Sequence, residues 1–221
     1  MKILESVRAE EIINGTFIVP DGVTEIGIGA FEGHTELKSI IIPEGVTRIG
    51  MWAFKNCSAL TNILLPNSVL RISHWAFENC TGLTNVILGN NVTRIDTGAF
   101  YGCSSLTSIT LPDTVELIGD QAFFGCENIR NIVMGPGIRE LDRYAFVGMT
   151  GLVNVDIKGD ANRVVAVVDD SREDEDSYVE CSLAEAVEEI YREMLADKVR
   201  QFLPSKNLSE MTSISVSLNK L

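Results

Sequence analysis

Four of the five cysteines, Cys57, Cys80, Cys103 and Cys126, recur every 23 residues, with His34 one step before them and Met149 one step after. An even count of thiols in one column could form disulfides or hold a metal. A single row of sulfurs on stacked strands, however, offers neither the tetrahedral ligand set that zinc takes nor the roughly 90° torsion of a disulfide. The favoured reading is a column of small apolar side chains filling a turn, which also accommodates Met149; a thiol or metal protein using the column is the rival. Cys181 stands apart, beside an acidic run.

Other reactive residues are sparse. The two histidines, His34 and His74, come with no nucleophile in a recognisable motif, and His74 falls at an outward, variable position. No glycine-rich phosphate loop occurs. The run 169–176 lacks the alternate ligands and central glycine of a calcium loop and reads as a solvated linker. Sequons such as Asn56-Cys57-Ser58 are by-products of the repeat. The expectation is a protein that is not an enzyme, with no catalytic or metal-ligating residue and no cofactor.

The element that positions these residues is an internal repeat. Ala-Phe pairs stand at Ala30-Phe31, Ala53-Phe54, Ala76-Phe77, Ala99-Phe100, Ala122-Phe123 and Ala145-Phe146, every 23 residues without insertion. The same period carries the columns that begin at Leu37, Ile40, Ile42, Val23 and Ile26. A unit this short cannot enclose a core and must lay its apolar edge on a similar neighbour, which makes a solenoid. Within a unit, Leu37, Ile40 and Ile42 point inward while Ser39 and Ile41 alternate outward, and Val46 to Ile49 reads as a second short strand. The Ala-Phe segment has room for one helical turn. Pro20, Pro43, Pro66 and Pro112 close the main strand, where a missing N–H does least harm.

Composition narrows the functions. The chain has 221 residues, is 45% hydrophobic and carries a formal charge of −13, enough apolar residue for a core and a field that repels phosphate backbones. Nucleic-acid binding is disfavoured. The start Met1-Lys2-Ile3-Leu4-Glu5 meets charge early, and nowhere do about 18 apolar residues run together, so no membrane insertion is expected. The expected location is cytoplasmic if Met1 is the native start, and cell surface or secreted if a signal peptide has been removed.

The motif Leu60-x-x-Ile63-x-Leu65-Pro66-x-x-Val69-x-x-Ile72-x-x-x-Ala76-Phe77-x-x-Cys80-x-x-Leu83 resembles the BspA-type, or Treponema-type, leucine-rich repeat. That resemblance implies an α/β solenoid, a right-handed superhelix of short parallel strands and single helical turns with a parallel sheet on its concave side. It also implies binding to other proteins, often at microbial surfaces. Three regions are expected: 1–19 as an N-terminal cap and partial repeat, 20–157 as six 23-residue repeats, and 158–221 as a small α/β strand-helix-strand cap or domain. In the last, Val164 to Val168 reads as a strand, and Ser182 with Glu185 as the capping box of a helix. Leu183, Val187, Ile190, Met194, Leu195, Val199 and Phe202 would form its apolar face, Pro204 its end, and 211–218 a last strand.

Two outward columns suggest a partner site. Ile18, Ile41, Leu64, Ile87 and Val133 place apolar side chains on the solvent side of the main strand. On the other strand Arg48, Arg71 and Arg94 stack in consecutive units, with Trp52 and Trp75 in a nearby column. Stacked like charges repel unless an acidic residue or a partner answers them. The expected partner is a macromolecular ligand, a protein, bound by a non-enzymatic scaffold; the sequence leaves its identity and the oligomeric state open. An exported surface adhesin or host-interaction protein of the same repeat class is the alternative.

Overall fold

Each unit has two short runs that alternate inward and outward, separated by turns rich in Gly, Asn and Pro, so it forms two strands on different sides of a thin coil. The computed structural model describes residues 2–160, 164–168, 178–183 and 185–187. Its strands are β1 (Ile3–Leu4), β2 (Thr16–Ile18), β3 (Glu25–Ile26), β4 (Ser39–Ile41), β5 (Arg48–Ile49), β6 (Asn62–Leu64), β7 (Arg71–Ile72), β8 (Asn85–Ile87), β9 (Arg94–Ile95), β10 (Ser108–Thr110), β11 (Leu117–Ile118), β12 (Asn131–Met134), β13 (Glu140–Asp142), β14 (Asn154–Ile157), β15 (Val164–Val168) and β16 (Tyr178–Ser182).

The strands sort into two ladders. The short odd-numbered strands form one unbroken sheet, β1-β3-β5-β7-β9-β11-β13-β15-β16, parallel throughout except for the antiparallel final pair. The longer main strands pair as β2-β4, β6-β8 and β10-β12-β14, also parallel. At the first break Thr61 N–H reaches Lys38 O at 3.4 Å; at the second, Thr107 Oγ1 reaches Thr84 O, also at 3.4 Å.

Between the ladders lies the aromatic stack. Phe31, Phe54, Phe77, Phe100, Phe123 and Phe146 lie nearly face to face, with centroids 5.0 to 5.6 Å apart, and are all buried. That spacing follows the roughly 4.8 Å separation of hydrogen-bonded strands.

The Ala-Phe segment carries the i→i+3 bonds expected of a helical turn, such as Cys57 N–H to Phe54 O at 3.1 Å. It does not continue as a helix, since alternate N–H groups cross to the next unit instead. Trp52, Phe54 and Asn56 N–H donate to His74, Ala76 and Glu78 O at 3.2, 2.7 and 2.8 Å. Residues at positive φ set this alternation: Trp52 at 56° and Asn56 at 62°, with Gly29, Gly33, Gly98 and Gly102 in the matching columns. Glycine and asparagine take that conformation at least cost.

Residues 2–19 wind one further, irregular turn. β1 lies on β3, Phe17 of β2 pairs with Ile40, and Val7 N–H donates to Ala30 O at 3.0 Å, as Phe31 does to Ala53. Val7 and Ile12 are buried, whereas Ile3 and Ile13 are exposed. At the other end Leu141 pairs with Val167, three residues beyond the 23-residue step. Ser182 and Glu185 exchange the reciprocal bonds of a capping box, Ser182 N–H to Glu185 Oε2 at 2.9 Å and Glu185 N–H to Ser182 Oγ at 3.2 Å. Leu183, Ala186 and Val187 join the core. The acidic run 169–176, the helix positions from Ile190 to Pro204 and the strand expected at 211–218 lie outside the described residues.

Candidate functional site

The cysteine column is fully buried, and its thiols have a backbone role that the sequence did not reveal. Cys57, Cys80, Cys103 and Cys126 each donate an S–H to the phenylalanine carbonyl of the preceding turn, Phe31, Phe54, Phe77 and Phe100, at 3.0 to 3.2 Å. Cys57, Cys80, Cys103 and Cys126 form no disulfide. Desolvation raises every thiol pKa in the column, that of Cys126 to about 12, so thiolate chemistry is suppressed. His34 heads the column, its Nε2 2.9 Å from Val7 O and its Nδ1 2.7 Å from Glu36 Oε1. The hydrogen bond from His34 holds the Glu36 carboxyl below its ordinary range. Among the described residues no three His, Cys, Asp or Glu side chains converge to hold a metal.

The main-strand row stands in solvent. Ile18, Ile41, Leu64 and Ile87 are 66%, 54%, 61% and 51% exposed, while Val133 is half-buried. Ile18 is in register with Ile41, Leu64 with Ile87, and Thr110 with Val133. Exposed Ser39, Asn62, Asn85, Ser108 and Asn131 run alongside. Between Lys38 and Val133 the outward positions of this ladder carry no carboxylate, although the chain has 31 Asp and Glu.

The arginine column lies on the other ladder. Arg48, Arg71 and Arg94 are direct register partners, about 4.8 Å apart along the stack. Residues of the chain answer their charge from beneath. Arg48 Nε donates to Ser73 Oγ at 3.0 Å, and its Nη1 lies 3.6 Å from Glu25 Oε1. Arg71 Nε meets Asp96 Oδ2 at 2.5 Å, and Arg94 Nε lies 3.6 Å from Asp96 Oδ1. The Asp96 side chain is 2% exposed, those of Arg71 and Arg94 37% and 48%. Beside them His74 is half-buried and lines a shallow cleft of about 200 Å³ with Arg94, Asp96 and Asp120.

The tryptophans are partly engaged. Lys55 Nζ sits 5.6 Å from the Trp52 ring centre and 2.9 Å from Glu78 Oε2. Trp75 packs on Tyr101, itself stacked on Phe124, and covers Gly98, where an added Cβ would fall 2.2 Å from the Trp75 ring.

Among the described residues no helix is long and apolar enough to cross a membrane. The chain resembles a crystallised T. pallidum leucine-rich repeat protein at 29% identity, over 65% of this chain and 70% of that one, with a TM-score of 0.61. It also resembles a leucine-rich cell surface protein of Faecalibacterium prausnitzii at 28% identity and TM-score 0.51, covering 66% of this chain but 32% of that one. A search of curated proteins returns no match. The family model for the BspA-type leucine-rich repeat region matches residues 12–106 and 93–214 in six copies. With the stacked phenylalanines and parallel ladders, that match places the chain in the BspA-type leucine-rich repeat family.

Proposed function

We propose that the chain is a non-enzymatic scaffold that binds a protein ligand through outward ladder residues, while the inward columns serve the fold. The exposed row Ile18, Ile41, Leu64 and Ile87 carries this reading: four large apolar side chains held on strands, each more than half exposed. The test compares the chain with a variant carrying Ile41→Lys, Leu64→Lys and Ile87→Lys against a panel of purified extracellular-matrix and secreted proteins. The expected result is an unchanged cooperative melt and loss of the wild-type ligand. Retained binding would move the site off this row.

A second reading, that the scaffold is displayed at a cell surface as an adhesin, is favoured by the likeness to a protein described as a cell surface protein. Protease shaving of intact cells checks it, since a displayed chain is released and a cytoplasmic one is retained.

A further inference from the structure

We propose that Arg71 and Arg94, with Arg48 beside them, receive the carboxylates of an acidic segment of a protein partner, held in position by the buried Asp96; the proposal rests on the scaffold reading above.

The first observation is where Ser73 and Asp96 stand. Their column is glycine at Gly27, Gly50 and Gly119, and a Cβ added at Gly50 or Gly119 would come within 2.6 or 2.7 Å of backbone atoms of the preceding turn. Side chains enter this tight column at 73 and 96, one turn after Arg48 and Arg71, and each receives that arginine's Nε. Where the next such residue is Gly119, Arg94 leans on the Asp96 of its own turn instead. The crowded column thus admits side chains at Ser73 and Asp96, each of which anchors an arginine, and at the buried Asp142, one turn after Leu117, whose Oδ1 accepts the Tyr144 N–H at 2.8 Å.

The second is which nitrogens are used. Arg71 is held through Nε, and the terminal amino groups of Arg71 and Arg94 make no hydrogen bond among the described residues. Those groups form the donor pair that grips a carboxylate in two-point fashion. One carboxylate, Asp96, serves two guanidiniums, and Glu25 serves the third at 3.6 Å, leaving one positive charge over.

The third is the surrounding charge. Flanking positions on these turns are Thr47, Leu70 and Thr93 on one side and Met51, His74 and Thr97 on the other, none of them acidic. Acids return one turn later with Glu116 and Asp120, where the arginine column itself becomes Leu117, and one turn further on the column itself becomes Glu140. On a chain of net charge −13 this is a confined cationic strip, complementary to a short acidic segment. Leu70, 47% exposed, and the half-exposed Trp52 offer apolar contact beside it, which suits a peptide better than a sulfated polysaccharide.

Fluorescence anisotropy of the full chain with a labelled peptide of alternating Glu and Leu tests the proposal, with a Gln-Leu peptide and a heparin fragment in parallel. Binding of the Glu peptide and not the Gln peptide is expected. The paired change Arg71→Lys and Arg94→Lys keeps the charge but loses the fork, and should weaken binding by about tenfold. Asp96→Asn makes the strip more positive by one charge yet releases the guanidiniums, so the proposal expects weaker binding and simple charge attraction expects tighter. Tighter or unchanged binding by a folded Asp96→Asn variant overturns the proposal. So does an unaffected lysine pair, which keeps the test decisive if Asp96→Asn does not fold. Heparin binding without peptide binding, or peptide-independent self-association through the strip, also overturns it. If the peptide fails while a panel ligand is still lost on changing Ile41, Leu64 and Ile87, this proposal falls and the scaffold stands.

Discussion

The two strand ladders share a period and a spacing, yet they are held differently. The short-strand ladder is hydrogen-bonded without interruption from β1 to β16, carries stacked arginines and has acids and a serine buried beneath them. The main-strand ladder breaks into groups, carries stacked aliphatic side chains and has no acid among its outward positions between Lys38 and Val133. Translating one side chain by a strand spacing is harmless when it is apolar, because neighbours shield one another. When it is charged, repulsion at about 4.8 Å must be cancelled locally. The inward side chains record the breaks. Ile42 and Leu88, beside them, are 8% exposed, whereas Leu65 and Leu111, inside bonded groups, are 1%.

Both ladders lean on the phenylalanine stack, so its loss is the largest expected effect. Phe77, buried between Phe54 and Phe100, should cost about 3–5 kcal/mol on change to alanine, read as a shift in the denaturant midpoint. A shift under about 1 kcal/mol would deny the stack its role.

On the charged side, Gly98→Ala tests the turn beneath Trp75. It puts a Cβ 2.2 Å from the ring and a side chain at a φ of 60°, and should destabilise by about 1–3 kcal/mol. The paired change with Trp75→Gly should recover part of this; if it recovers nothing, the clash is not the cause.

The thiol column gives a pH signature. Folding raises the pKa of these groups, so their contribution is fully present below the ordinary thiol value and is lost as pH climbs through the folded one. Stability should decline between about pH 9 and pH 12, the latter being where Cys126 titrates when folded. Replacing Cys126 with alanine should flatten part of that decline in urea melts, and an unaltered slope would count against the buried thiol.

The smallest effect distinguishes the ladders directly. Leu65 and Leu111 N–H donate across the main ladder to Ile87 and Val133 O at 2.9 and 2.8 Å, while Ile42 and Leu88 face the breaks. Hydrogen exchange should be faster at Ile42 and Leu88 than at Leu65 and Leu111. Equal protection would mean an unbroken main ladder.

Much of this was legible in the sequence, because six columns with no insertion leave little choice of register. Burial of the inward columns and exposure of Ile41, Leu64 and Ile87 followed from strand alternation alone. The turns were harder to read. Gly33, Asn56, Asn79 and Gly102 share a column that signals positive φ, but Trp52 and Trp75 in the other such column hide the signal, since bulky residues rarely adopt it. The arginine repulsion was foreseeable, but its answer was not. Ser73 and Asp96 lie 25 residues from Arg48 and Arg71, a step that no within-strand pattern reveals. The thiol bond to a carbonyl 26 residues earlier was hidden for the same reason.

The charged ladder depends on Asp96 holding Arg71 from within. A double-mutant cycle with Arg71→Met and Asp96→Ala, read by urea unfolding, measures that link. The structure predicts a coupling of about 1–3 kcal/mol, as for a hydrogen-bonded ion pair with one partner buried. A coupling near zero would mean that the arginines are merely solvated, and it would contradict the account.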